Sequence, residues 1–166
     1  MNLTNFEDSN PNCQRLVDKL ISSGRKTRDF FQEIEGDDWN QQIYSEGANW
    51  SVHHILAHFV ASEASITKLI KFILRGNPGV PENFDIDAFN EKEITCFSKL
   101  PTDMILQRFM ERRGETIQML LEMSDADLET EGRHPWLGVV SVEDMIKLMY
   151  RHNQIHQRDI RKTLAS

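Results

Sequence analysis

His152 and His156, four residues apart in the segment RHNQIHQRDI, are the residues of this chain best placed to do chemistry. At about 100° per residue, that spacing sets both imidazoles on one helix face, roughly one turn apart. Neutral imidazoles so placed bind a single transition-metal ion when another helix brings further ligands. A second stretch, WSVHHILAHF, carries three more of the six histidines. Within it His58 is the expected partner, because it lies about 40° from Ser62 and about 20° from Leu69 on the helical wheel and so points roughly into the core. Ligation by His58, His152 and His156 leaves coordination positions open to water or substrate, the pattern of catalytic ions rather than closed structural ones. One divalent transition metal is therefore the expected cofactor. Zinc, nickel, copper and iron all accept such ligands, and the ligand list does not choose among them; zinc and nickel are taken as the leading candidates.

The other histidines divide by position. His54 precedes His58 by four residues, which keeps a fourth ligand open, but it also falls three residues after Ser51, where a capping-box side chain belongs. His53 faces elsewhere. His134, just before Pro135, reads as a loop residue, structural or at a pocket rim. Asp159 either accepts the second N–H of a ligand histidine or pairs with Arg158 near Lys162. For every one of these rings the plain alternative is a core imidazole bonded to the backbone. There is no Gly-rich phosphate loop, GxSxG or HExxH motif, and no residue stands out as a general base. Cys96 reads as a small core residue and the methionines Met104, Met119, Met145 and Met149 as packing. Trp39, Trp50 and Trp136 either wall a ligand pocket or close the core.

Four long helices must position these groups. The first spans about Asn12 to Ile34, with Leu16, Leu20, Thr27 and Phe31 on its stripe and Gly24 as an interruption. A loop then runs to Asn49. Ser51 caps a second helix that ends near Arg75, where Gly76, Pro78, Gly79 and Pro81 follow in quick succession. The link from Gly76 to Pro101 is long and holds a short helix around Asp87 to Phe97. Such a link lets the second and third long helices run parallel. The third long helix follows Pro101, a turn opens at Ser124 and Asp125, and Gly132 to Gly138 is a loop. Ser141, with Asp144 as its capping-box partner, opens the last helix, whose apolar stripe includes Met145, Leu148, Met149, Ile155 and Ile160. No strand pattern competes. The expected fold is all-α: a four-helix bundle, up-down-down-up, with a long crossover between helices 2 and 3.

At 166 residues the chain is read as one domain, 1–166, large enough to bury roughly 70% of its unfolded surface. A net charge of −7 argues against non-specific binding to nucleic acid or to an anionic membrane. The basic residues at the end of the last helix, Arg158, Arg161 and Lys162, are explained by its dipole. The two cysteines, Cys13 and Cys96, lie far apart in no metal-binding spacing, and the N-terminus lacks the charged and apolar regions of a signal peptide. A cytoplasmic, reducing setting is expected, and an exposed apolar helix face leaves room for a homodimer.

The order of these features resembles the DinB-like (DinB/YfiT) superfamily of metal-binding four-helix bundles across nearly the whole chain. The matching motifs are Trp50-Ser51-Val52 leading to His58, the HNQIHQRDI segment, DIDAFNE from Asp85 to Glu91, and HPWLG from His134 to Gly138. The resemblance implies that one histidine of the second helix and two of the last hold the metal, at positions matching His58, His152 and His156. Position 54, commonly glutamate in such proteins, is histidine here. Asn90 matches a position associated with the pocket near the metal, implying a substrate-binding role. The implied function is a metal-dependent enzyme that activates a low-molecular-weight thiol, as in S-transfer or isomerisation, or water, as in hydrolysis, with a small-molecule substrate. The alternatives are a non-catalytic metal- or ligand-binding bundle and a metal-free helical module.

Overall fold

The computed structural model describes residues 10–47 and 49–166; the N-terminal segment read above for a leader lies outside the described residues. Four long helices form the body: α1 (Pro11–Gln32), α2 (Val52–Leu74), α4 (Thr102–Leu121) and α6 (Val142–Leu164). A short α3 (Ile86–Phe97) lies in the crossover, and a one-turn α5 (Asp125–Glu129) follows α4. The caps explain where the helices begin. Asn10 accepts from the Asn12 N–H at α1, Ser51 from the His54 N–H at α2, and Ser141 from the Asp144 N–H at α6. At Ser141 the reciprocal half of the expected box is not formed among the described residues. At Ser124 and Asp127, at the start of α5, both halves are present.

The direction of each helix follows from the core. One apolar cluster joins the start of α1 (Cys13, Leu16, Leu20), the end of α2 (Ile66, Ile70, Ile73), the end of α4 (Met119, Leu120) and the start of α6 (Val142, Met145). A second joins Phe30 and Phe31 with Val52, Ile55 and Phe59, with Ile105 and Phe109, and with Ile160. Helices α1 and α6 therefore run one way and α2 and α4 the other, which is the up-down-down-up bundle. Both α1 and α2 pack on α4 and on α6.

Between the clusters lies a buried polar layer to which every long helix contributes. Arg113 and Glu63, each 2% exposed at the side chain, form a bidentate pair with Nε–Oε1 at 2.6 Å and Nη2–Oε2 at 3.0 Å. Arg113 Nη1 also donates to the Leu20 carbonyl and to Ser23 Oγ, and Thr116 Oγ1 donates to Glu63 Oε1. Gln157 Nε2 donates to Thr27 Oγ1 at 2.8 Å. Gly24 has a packing role here: a Cβ at that position would stand 3.3 Å from Arg113 Cγ, so glycine gives the guanidinium stem its room.

Several local expectations are corrected. Two antiparallel hairpins, β1 (Gln42–Tyr44) with β2 (Trp50–Ser51) and β3 (Glu131–His134) with β4 (Gly138–Ser141), lie in and beside segments read as loops. Strands of two to four residues are too short for alternation to register. Cys96 is exposed rather than packed, and Ile155 is 40% exposed. On α6 the residues facing inward are instead Asn153 and Gln157, both buried. Among the described residues no helix is long and apolar enough to cross a membrane.

The crossover is stitched to the second hairpin. Val80 N donates to the Arg133 carbonyl at 3.0 Å and Arg133 N to the Pro78 carbonyl at 2.8 Å. Gly79, at φ +96°, takes a conformation that side chains rarely adopt, and a Cβ there would run into the Arg133 backbone. This junction holds the crossover and the β3–β4 hairpin together beside the outer face of α2 and α6.

Candidate metal centre

His58 from the first half of α2 meets His152 and His156 from the middle of α6. Their ligand atoms all lie within 4.8 Å of one another. The Nε2 of His152 is 2.9 Å from the Nε2 of His58 and 2.9 Å from that of His156. An sp² ring nitrogen offers one proton or one lone pair, never both, so the His152 nitrogen meets two such neighbours by hydrogen bonding only if it shares that single site between them. A shared cation resolves the conflict. Two nitrogens each about 2.0–2.1 Å from one ion stand about 2.9–3.4 Å apart for angles between 90° and 110°, and the observed spacing falls at the short end of that range. The donor set therefore fits a divalent transition metal.

Burial keeps these rings neutral, as metal ligands must be. It holds the pKa of His152 down to about 3, with the neighbouring His156 adding to the effect. His156 is lowered to about 4, again by burial, partly offset by Asp159. His58 lies well below its ordinary value because it is buried and faces the other two.

Tyr44 from β1 fixes the outer side of the cluster, and nothing in the sequence had singled it out. Its hydroxyl donates to Asp159 Oδ2 at 2.8 Å and stands 2.7 Å from His156 Nδ1. With its proton committed to the carboxylate, the hydroxyl oxygen accepts from Nδ1–H, which leaves the lone pair of His156 on Nε2, toward the cluster. Asp159 thus orients His156 through Tyr44 rather than directly. Trp50, one residue before the cap of α2, lays its ring 4.6 Å from that of His58. Tyr44→Phe breaks the relay without removing a ring. It is expected to weaken zinc binding by about 10- to 100-fold, read by competition with a chromogenic chelator; an unchanged affinity would show that Tyr44 orients nothing.

His54 does not join the group. Its Nδ1 stands 3.2 Å from the Ser51 N–H and 2.9 Å from Ser51 Oγ, so the ring fills the place of a capping-box carboxylate. His53 Nε2 lies 2.8 Å from the Ser98 carbonyl and ties α2 to the end of α3.

The three rings line a cavity of about 860 Å³ bounded by α2, the crossover, the β3–β4 turn and α6. Asn90 of α3 also lines it, as do Trp50 and Trp136. Its walls are mainly apolar (Leu69, Phe72, Phe84, Phe89, Leu148, Ile155), and its size suits a small-molecule site. Three of the large hydrophobics exposed on this protein, Phe72, Trp136 and Ile155, stand around it. Lys68, Lys71 and Arg75 line its α2 side, and Asp87 and Glu93 its α3 side.

His134 lines the same cavity and is 4% exposed. Its Nδ1 accepts from the Trp136 and Leu137 N–H groups at 3.1 and 3.2 Å, and burial pushes its pKa down to about 4. Between that value and the ordinary 6.5 or so, the unfolded chain carries a proton on this residue that the folded chain lacks, so stability falls as the pH falls. In metal-free protein, urea unfolding between pH 6 and pH 4.5 should show a steeper pH dependence for wild type than for His134→Asn, by up to about 1.4 kcal/mol per pH unit. Parallel slopes would contradict a neutral buried His134.

The sequence matches the DinB superfamily over residues 19–160. The chain belongs to that superfamily. Solved structures of similar fold include the mycothiol-dependent maleylpyruvate isomerase, with a TM-score of 0.73 at 14% identity. The match covers 95% of this DinB chain and 63% of that one, so the present chain spans less than two thirds of the isomerase. YfiT from Bacillus subtilis, described as "a probable metal-dependent hydrolase with an unusual four-helix bundle topology", gives a TM-score of 0.73 at 17% identity, covering 98% of this chain and 89% of YfiT. The colibactin self-resistance protein ClbS, solved in complex with a dsDNA, gives 0.70 at 13% identity, covering 90% and 95%. The fold is thus found in a DNA-bound protein, and the expectation of no nucleic-acid partner has no support from this likeness. No curated protein matches the sequence.

Proposed function

We propose that this DinB-superfamily chain is a metal-dependent enzyme. In this reading His58, His152 and His156 hold one divalent transition metal, with zinc or nickel as the metal and a small molecule in the adjoining cavity as the substrate. The observation that carries the reading is the convergence of three imidazole Nε2 atoms on one point in the wall of an 860 Å³, largely apolar cavity. When bound, such an ion supplies Lewis acidity, lowering the pKa of a coordinated thiol or water so that it attacks near neutral pH. The likeness to a thiol-dependent isomerase favours a low-molecular-weight thiol as the nucleophile, and the likeness to YfiT favours water.

The chain's own residues do the rest. Tyr44 and Asp159 keep the proton of His156 on Nδ1, away from the cluster. Trp50, Phe72 and Phe89 exclude water from the bound molecule, and Asn90 offers it an amide. A purely structural ion calls for a closed shell of four protein ligands, whereas the group found among the described residues has three, all on the cavity wall.

The test is turnover. Protein loaded with one equivalent of zinc or of nickel is assayed against electrophiles with low-molecular-weight thiols, and against ester and amide substrates without them. Activity that follows metal content and disappears in His152→Ala supports the proposal, and the substrate that turns over decides between thiol and water. Inactivity at full occupancy across both panels would leave a metal-binding protein that is not this enzyme. Binding of duplex DNA is measured alongside by anisotropy, since the net charge of −7 is the sole ground for expecting none.

A further inference from the structure

His134 has a feature that neither the fold nor the three-histidine group requires. It is the last residue of β3, where the chain enters the tight turn of the β3–β4 hairpin, and both backbone N–H groups that reach its ring arrive at Nδ1. A nitrogen accepting two hydrogen bonds carries no proton, so the neutral ring must carry its hydrogen on Nε2. Low basicity makes that form persist through the neutral range. With Nδ1 turned into its own turn, the ring presents its other edge to the cavity that it lines.

Nε2 has no hydrogen-bond partner among the described residues. It is also not sealed in: the buried side-chain polar atom without a partner there is Asn153 Nδ2. The ring is close enough to the cluster that charge on His134 would oppose charge on His152. The cavity that it lines has mainly apolar walls, Trp136, Leu148 and Ile155 among them. An N–H aimed into such a space is costly unless something accepts it.

We propose that His134 is a ligand-binding residue of this cavity, presenting a fixed Nε2–H to an acyl oxygen of the molecule held beside His58, His152 and His156. The inference rests on the metal-dependent reading above and deepens it by naming the substrate class: an acyl compound with an apolar body, whose oxygen is held by a neutral imidazole. The donor cannot drift to the other nitrogen, because that would break both bonds within the turn.

His134→Asn separates the two ring edges. An asparagine Oδ1 accepts the N–H two residues on, as in an Asx turn, so the hairpin keeps its internal bond while the cavity loses its donor. The probe is acetohydroxamate, titrated calorimetrically into zinc-loaded protein at neutral pH. Wild type is expected to bind it about tenfold more tightly than His134→Asn, with equal zinc stoichiometry and equal melting temperature. In ¹⁵N-imidazole spectra of the wild type, the His134 proton should reside on Nε2, and that resonance should move when the probe binds. Equal affinity in the two proteins, or a proton on Nδ1, overturns the proposal. If the variant does not fold, the wild-type spectra decide: a His134 Nε2 resonance that ignores the bound probe is equally fatal. Failure of the metal reading shows separately, as wild type that takes up no zinc, and that result removes this inference with it.

Discussion

Glu63→Ala is expected to destabilise the protein by about 3–5 kcal/mol, and Arg113→Ala by a similar amount. Each leaves its partner charged, buried and stripped of its main hydrogen bonds, at a point where three helices meet. Against the 5–15 kcal/mol typical of whole domains, that loss is a large share. The pair itself contributes far less than either truncation suggests, because bringing both charges out of water offsets most of their attraction. Glu63→Leu combined with Arg113→Met should therefore lie closer to wild type than either alanine variant. Urea unfolding of the four proteins, metal-free at neutral pH, checks both statements. Single variants within about 1 kcal/mol of wild type would show that the layer is wet or adaptable rather than a buried, paired site.

Metal addition should have the second large effect. An ion that binds the folded chain alone stabilises it by about 4 kcal/mol at a thousandfold excess over its dissociation constant. Zinc is thus expected to raise the melting temperature of wild type by several degrees for a chain of this size, and EDTA to reverse the change. In His152→Ala the shift should vanish, since His152 is the ring whose Nε2 lies within 2.9 Å of both others. His54→Ala should retain the full zinc shift while losing some stability through its broken capping box. An equal loss of the zinc shift in His54→Ala would bring that ring into the ligand set.

Much of the bundle was legible in the sequence because helical periodicity and caps act locally. Ser51, Ser141 and the Gly-Pro run after Arg75 mark boundaries that the structure reproduces within a residue or two. The three rings were legible for the same reason, as histidines at helical spacing on inward faces. The polar layer was missed even though its signal was present. Glu63 follows Phe59 by four residues and precedes Ile66 by three, and Arg113 stands in the same relation to Phe109 and Thr116. Each charge sits squarely on an apolar stripe, which asks for a buried partner. Gly24, read as a weakness in α1, is the space that the pair needs.

Tyr44 was not legible. It lies in a three-residue strand, and its partners are 112 and 115 residues away. No local pattern encodes a contact of that range; it arises when the β1–β2 hairpin folds over the end of α6. The misplaced Ile155 of the α6 stripe has a similar origin. Reading Ile155 as core and passing over Asn153 and Gln157 assumed that polar residues face out, whereas here a polar layer lies inside and a cavity draws apolar residues outward.

The most direct measurement is metal content by inductively coupled plasma mass spectrometry, on protein purified without a histidine tag, for wild type and His152→Ala side by side. Close to one equivalent of zinc, nickel or another transition metal in wild type, and a small fraction of that in the variant, is the result expected of three converging Nε2 atoms. Wild type that holds no metal, even after reconstitution near neutral pH, or a variant that holds as much as wild type, would contradict the metal centre and the function proposed on it.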